Sequence, residues 1–312
     1  MGTMRTAFIV RRVLTLIPTL LLIYTLTFFL MHSTPGGPWD SGEKPLPADV
    51  QERLRVAYGL DKPLWQQYFD FLGKALRGDL GPSYNQSSRT VVDILADTFP
   101  VSLQLAAVAT VIAALVGIPL GILGAVRHNR PLDYLSTLVS VFGISTPAYV
   151  VTSLLVLLLA STWHLVPTSG WDGIRSPKII IPALSLALYP MAVLARYTRS
   201  SLLEVLRTDY MRTARAKGLS EKVVLVRHGI RNALLPVITI AGIVLADIAT
   251  GSFFVETIYQ VPGVGRYFVQ SISARDYPVI LGTVLLLGLV VSVMNLVVDL
   301  LYPLLDPRIG SR

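Results

Sequence analysis

RTARAKGLSEKVVLVRHGIRNALLP, residues 212–236, carries six lysines and arginines and one histidine between two long apolar stretches. Upstream of its glycine, LLEVLRTDYMRTARAK (202–217) is amphipathic and rich in helix formers. Gly218 should end that helix, because glycine takes the left-handed conformation that closes a helix without steric cost. Ser220 is a suitable N-cap for a second helix, EKVVLVRHGIRNALL, and Pro236 falls inside or at the start of the next apolar run. The pattern predicts a helix–turn–helix with Leu219 near its tip. A helix lying flat on lipid is also basic and amphipathic, but it needs no break at its centre. A projection on which a soluble partner docks accounts for the Gly-Ser break as well as for the cations.

The composition outside this segment points to lipid. Of 312 residues, 53% are hydrophobic and 15% charged, with a mean hydropathy of +0.60; soluble domains carry about 25% charged residues. The chain has no cysteine, which excludes disulfides, thiolate metal sites and a cysteine nucleophile. Six stretches, near 9–31, 100–126, 134–160, 178–198, 234–256 and 278–303, are apolar enough to cross roughly 30 Å of hydrocarbon. The basic start and the run from Val13 to Met31 resemble a signal peptide, but the run is longer than a signal core and reads as a retained first span. The prediction is an all-α polytopic membrane protein of six helices. Residues 1–99 hold the first span and a helical segment on the far side, and residues 100–312 hold the other five spans.

Charge sets the expected orientation. With six spans, 16 of the 27 lysines and arginines lie on the side of the termini and 11 on the other, whereas 12 acidic residues lie on the far side and 5 on the near side. Positive charge is retained in the cytoplasm, so both termini and the 212–236 segment are expected there. The cations then read as topology and docking signals rather than as a nucleic-acid surface.

Three further features stand out. In the far-side segment, ADVQERLRVAYG reads as a short helix stopped at Gly59. Asp61 is expected to cap PLWQQYFDFLGKALRG, whose apolar face holds Leu64, Tyr68, Phe71, Leu72 and Ala75. Gly117, Gly121 and Gly124 around Pro119 predict close helix approach in the second span. Asp247, about halfway along the fifth span, is a candidate pathway residue that would attract a cationic group; an ion pair or hydrogen bond to a partner is the alternative. Asp299 reads as a structural acid near Asn295. No phosphate-cradling GxxxxGK[ST] or HExxH occurs, and His32, His128, His164 and His228 are scattered over loop ends, so neither nucleotide hydrolysis nor a metal site is expected of this chain.

The 210–236 stretch resembles the EAA loop of type I ABC importer permeases of the peptide/opine/nickel group. In that group the loop commonly reads YxRTARAKGL…RHxxRNALLP, and here it runs from Tyr210 to Pro236. The broader importer motif has Glu where Arg212 stands. RRVLTLIPTLL, YGLDKPLWQQYFDFLGKALRGDLGPS, VETIYQVPGVGR, ARDYPVI and DLLYPLLDPRIG are similar to other stretches of the group.

The resemblance implies that 100–312 is the importer transmembrane domain, set in a bacterial or archaeal cytoplasmic membrane. It also implies a homologous second permease, two cytoplasmic ATPase subunits that bind ATP and Mg, and an extracytoplasmic substrate-binding protein. The chain itself would bind no cofactor and catalyse nothing. Coupling to the ATPase is implied for Arg212, Thr213, Ala214, Arg215, Ala216, Lys217, Gly218, Leu219, Ser220 and Glu221, with Arg231, Asn232 and Pro236 on the return arm. Leu219 would be an apolar anchor, and Arg215 and Lys217 would meet ATPase carboxylates. Short peptides are the expected cargo; nickel complexes, opines or oligosaccharides fit the same group, and an ATP-independent secondary transporter is the alternative from another class.

Overall fold

The computed structural model describes residues 2–39, 47–249 and 252–305. Helices dominate the described residues, and the single antiparallel bridge, Pro82 with Thr90, belongs to no strand. Two compact units divide the chain: 1–102 with 262–292, and 103–261 with 293–312.

The first unit contains α1 (Gly2–Ser33), α2 (Ala48–Ala57), α3 (Leu64–Ala75), the start of α4 (Val91–Val126), α12 (Val264–Ser273) and the first half of α13 (Tyr277–Leu305). α2 ends where expected, with Gly59 at φ +69°. Asp61 does not cap α3. Pro63 takes the N-cap position in an extended conformation, and its carbonyl accepts the Gln66 and Gln67 N–H groups. Proline fixes φ and lacks an N–H, so it suits a helix start better than a side chain two residues away.

Tyr68, Phe71 and Leu72 of α3 pack on Tyr24, Phe28 and Met31 of α1 and on Ile280 and Leu281 of α13. The Tyr24 hydroxyl donates to the Tyr68 carbonyl at 2.7 Å. The predicted apolar face is thus an internal one, although Leu64 remains exposed. α4 starts nine residues before the predicted span because Thr90 and Asp93 cap each other's backbone. The Thr90 N–H donates to Asp93 Oδ2 at 3.1 Å, and the Asp93 N–H to Thr90 Oγ1 at 3.2 Å.

One acid organises this unit's loop. Asp276 is 3% exposed and accepts from the Ser83 hydroxyl, the Tyr84 N–H at 3.1 Å and the Asn85 N–H at 3.2 Å. Tyr84 is itself sunk beside Tyr58 and Trp39, and burial, followed by the Asp276 charge, raises its phenol above the usual value.

In the second unit, α4 continues beside α5 (Pro131–Ser145), α6 (Ala148–Leu155) with a π-helical extension Val156–Thr162, and α7 (Ile180–Leu206). The expected close approach at the glycines is present. A Cβ at Gly117 would lie 2.5 Å from the Met191 carbonyl oxygen, and one at Gly121 would collide with the Ala195 carbonyl. The predicted span over 134–160 is not one straight helix: α5 and the α6 segment meet at 104°. Thr146, before Pro147, is pushed to φ −95°, ψ 119°, because the proline ring bars the residue ahead of it from helical geometry.

The predicted fifth span over 234–256 also ends early. After α10 (Arg231–Ala249), Ser252 is extended, and α11 (Phe253–Tyr259) is a separate helix whose N-cap Ser252 Oγ accepts the Val255 N–H at 3.3 Å. Fully buried Tyr259 donates its hydroxyl to the Pro167 carbonyl at 2.7 Å and accepts the Gly170 N–H at 2.7 Å, tying the 163–176 loop to α11. Five helices among the described residues are long and apolar enough to cross a membrane, or six with the bent pair as one span.

Candidate functional site

The helix–turn–helix is present with one extra break. The predicted helix over 202–217 divides: α7 runs to Leu206, Thr208 is extended at φ −73°, ψ 154°, and α8 (Asp209–Ala216) starts anew. Thr and Asp favour N-terminal positions over helix interiors because their side chains compete for local backbone groups, and LRTD carries both. Gly218 stands at φ +75°, with nothing within 4 Å of where a Cβ would be. Its requirement is conformational, not steric. Ser220 is extended at φ −62°, ψ 145°, yet its hydroxyl makes no capping bond. α9 (Glu221–Val223) then continues through a π-helical stretch, Val224–Ile230, directly into α10. The return arm of the hairpin and the next apolar helix are therefore one continuous rod, with Pro236 inside it.

Three contacts join the two arms. Met211 and Ala214 of α8 and Val224 of the return arm are buried together against Val205 and Leu206 of α7. The Asn232 side-chain amide donates to the Tyr210 hydroxyl at 3.0 Å. The Arg215 guanidinium grips Glu221 through Nε at 3.1 Å and Nη2 at 2.9 Å, which raises its pKa further and lowers that of the carboxyl. A second knot lies where α7 meets this hairpin. Leu202, Ala125 and Ala233 are buried together, and the Ser201 hydroxyl donates to the Ala233 carbonyl at 2.8 Å.

The residues singled out from sequence thus separate by role. Arg212, Thr213, Arg215, Ala216, Lys217, Gly218, Leu219, Ser220 and Glu221 are exposed, as are Arg231, Asn232 and Pro236. Ala214 faces inward at 6% exposure and packs instead of presenting itself. Arg215 is engaged by Glu221 and Arg212 by Asp209 at 3.2 Å. Lys217 has no partner among the described residues and sits beside Leu219, 40% exposed, at the apex. Asp247 lies on α10, and Asp299 on α13, but the side chains of both fall outside the described residues. Among the described residues no group of His, Asp and Glu could hold a metal ion.

Sequence reasoning missed one buried ion pair. Asp133 in the first turn of α5, 3% exposed, receives Arg199 of α7 through Nε and through Nη2 at 3.0 Å. It also accepts the Asn129 N–H at 2.8 Å and His128 Nδ1 at 3.0 Å. The signal available was a charge, Arg199, in a largely apolar helix, where an ion needs a partner.

This architecture has known counterparts. Residues 117–311 match the family model "Binding-protein-dependent transport system inner membrane component", and residues 5–106 match the N-terminal model for membrane components of the same systems. The dipeptide transport system permease protein DppB of Bacillus subtilis is 45% identical over 97% of each chain. The oligopeptide transport system permease protein OppB of Escherichia coli is 39% identical over 97% of this chain and 98% of its own. Among solved structures, an inward-facing methionine ABC transporter covers 68% of this chain and 96% of its own at a TM-score of 0.57 and 18% identity. An amino acid ABC transporter crystallised with histidines gives 0.55 at 15% identity, covering 68% and 94%. These two share the fold.

Proposed function

The chain belongs to the family of binding-protein-dependent transport system inner membrane components, and from that premise we propose how it works as the membrane subunit of a peptide ABC importer. It pairs with a homologous second permease, receives peptides from an extracytoplasmic binding protein, and rests on two cytoplasmic ATPases that hold ATP and Mg. Counting the bent α5–α6 pair as one span gives six, which supports termini on one side, and the excess of lysine and arginine there supports the cytoplasm of a bacterial or archaeal cell as that side. ATP hydrolysis belongs to the partners, and this chain transmits their movement.

The observation that carries this reading is the construction of the 209–236 hairpin. Its tip is exposed and cationic, while its arms are locked by Met211, Ala214 and Val224. Its return arm is continuous with a membrane-spanning helix. A push on Leu219 therefore moves α10 as a rod instead of bending a loop, which is what coupling by rigid-body movement requires. The wording of the relatives' names, dipeptide and oligopeptide, supports short peptides as cargo.

Co-purification tests the assignment. The tagged chain should bring down two ATPase subunits from its own cells, and Leu219→Asp should lose them while the permease pair remains associated. Recovery of the ATPases undiminished by Leu219→Asp would remove the hairpin from the docking surface.

A further inference from the structure

Arg196 is an exposed cation in the C-terminal half of α7, just inside the end of the predicted span over 178–198, and no carboxylate among the described residues pairs with it. Arg199, one turn on, is neutralised by Asp133; Arg196 is not. A charge just inside the end of a span faces water or a partner and not hydrocarbon, where exposure would cost a few kcal/mol. A cavity is there. Within the second unit, Arg196 and Arg199 line a recess of about 410 Å³ with Thr137, Ser140, Ile144 and Ser145 of α5. That volume is in the range of small-molecule sites.

The hydrogen-bonding character of the recess is mixed in a specific way. Thr137 and Ser140 commit their hydroxyl protons to the Asp133 and Ser136 carbonyls, at 2.9 and 2.8 Å, so toward the recess they act only as acceptors. Ser145 makes no such bond and keeps its proton to donate. α5 ends here at the 104° bend, and the Gly143, Ile144 and Ser145 carbonyls receive no backbone N–H among the described residues. Unsatisfied backbone at membrane depth is tolerated where it lines a cavity, as at the broken helices of transporters. The recess therefore offers one uncompensated guanidinium, a hydroxyl donor and a set of bare acceptors.

We propose that this recess holds the free C-terminal end of a peptide in transit, with Arg196 and Ser145 on its carboxylate and the acceptors of α5 near its last amide N–H. A lipid phosphodiester shares the anionic charge but has no amide N–H beside it to meet those acceptors. The proposal rests on the peptide-importer reading above and adds to it the part of the cargo that is recognised. Arg196 is then a specificity residue, selecting peptides with an ionised C-terminus.

Proteoliposomes holding the complete complex, with binding protein outside and ATP inside, provide the test. The probes are a labelled tripeptide and its C-terminal amide, chosen as a pair that the binding protein holds equally. Arg196→Gln should lower uptake of the acid about tenfold, the loss of one charge-assisted contact, and leave that of the amide within about twofold. Arg196→Lys should recover part of the difference, and ATP hydrolysis stimulated by the loaded binding protein should persist in both variants. Equal slowing of acid and amide would overturn the proposal and assign Arg196 to the second permease. A defect that vanishes when phosphatidylglycerol is replaced by phosphatidylcholine would overturn it in favour of a net anionic lipid. Uptake of neither peptide by the wild type would instead remove the peptide reading itself, and this proposal with it.

Discussion

Two turns in the second unit pivot on a single left-handed residue, and they are built in opposite ways. Between α4 and α5 the pivot is Asn129, at φ +59°; between α8 and α9 it is Gly218, at φ +75°. Around Asn129 the chain is closed by a buried acid, Asp133, which collects the Asn129 N–H, His128 and both arms of Arg199. Around Gly218 no side chain approaches, and the turn is closed by an exposed ion pair, Arg215 with Glu221. The first turn holds two membrane helices together through its buried acid, although His128 and Asn129 themselves are exposed. The second keeps its packing back in the arms, at Met211, Ala214 and Val224, and leaves its apex free, which suits a surface to be touched by another protein.

Breaking the Asn129 turn should have the larger effect. Asp133→Ala leaves the partly exposed Arg199 guanidinium without its acceptor, a loss of up to about 3 kcal/mol, at the lower edge of the range for a buried pair. Thermal unfolding of the purified complex should shift down by several degrees, and removing the stranded charge as well, in Asp133→Ala with Arg199→Leu, should recover part of the loss. Full stability of the single variant would mean that the pair is solvated and not structural. Asp276→Ala comes next. It deprives the Ser83 hydroxyl and the Tyr84 and Asn85 N–H groups of their acceptor, a loss of about 1–3 kcal/mol. Limited proteolysis should then cut within 79–90 while sparing the 209–236 hairpin; unchanged cleavage would show that the loop is held by its rings alone.

Gly218→Val acts at the other turn and through the backbone. A β-branched residue in the left-handed region costs about 1–2 kcal/mol, which the chain can escape by reshaping the apex. The complex should still insert and assemble, but ATP hydrolysis should no longer drive uptake. Asn129→Gly, at the matching pivot, should leave uptake within about twofold of the wild type, because its turn is fixed by Asp133 and glycine accepts positive φ freely. Transport surviving in Gly218→Val would show that the apex need not be rigid.

The difference between the turns also explains what was legible in the sequence. Gly218 and Gly59 announce left-handed positions by their identity, and both are where the sequence places them. The glycines of α4 likewise announce close packing, since only a missing Cβ lets the Met191 carbonyl approach Gly117. Asn129 gave no such signal, because asparagine suits many turns. The bend at Thr146–Pro147 was readable in principle, but an apolar run on both sides masked it as one span. Arg199 signalled only that a partner was needed, and the identities of the pairs Asp133 with Arg199 and Asp276 with Ser83 were not readable. Their partners lie 66 and 193 residues away, and only the fold brings them together. In the 209–236 hairpin, sequence placed the turn at Gly218 but could not tell that Ala214 faces inward or that Arg215 is already paired.

Arg215 and Glu221 give the smallest expected effect and the sharpest use of the comparison. Both side chains are well exposed, at 40% and 67%, so water and salt screen the pair and its contribution to stability should stay below about 1 kcal/mol. Glu221→Gln should therefore leave thermal unfolding almost unchanged, in contrast to Asp133→Ala. What it alters is availability: with Glu221 neutral, Arg215 is released from a bidentate grip and joins Lys217 as a free cation at the apex. If the docking surface on the ATPase is acidic, ATPase association should strengthen modestly and become more sensitive to salt, since another exposed charge pair spans the interface. If Arg215 is needed as a strut between the arms, association should weaken and Glu221→Asp should restore only part of it. Titrating ATPase subunits onto the reconstituted permease at two ionic strengths separates these outcomes. No change at either salt concentration would show that the apex docks through Leu219 and its backbone, with the cations serving orientation in the membrane alone.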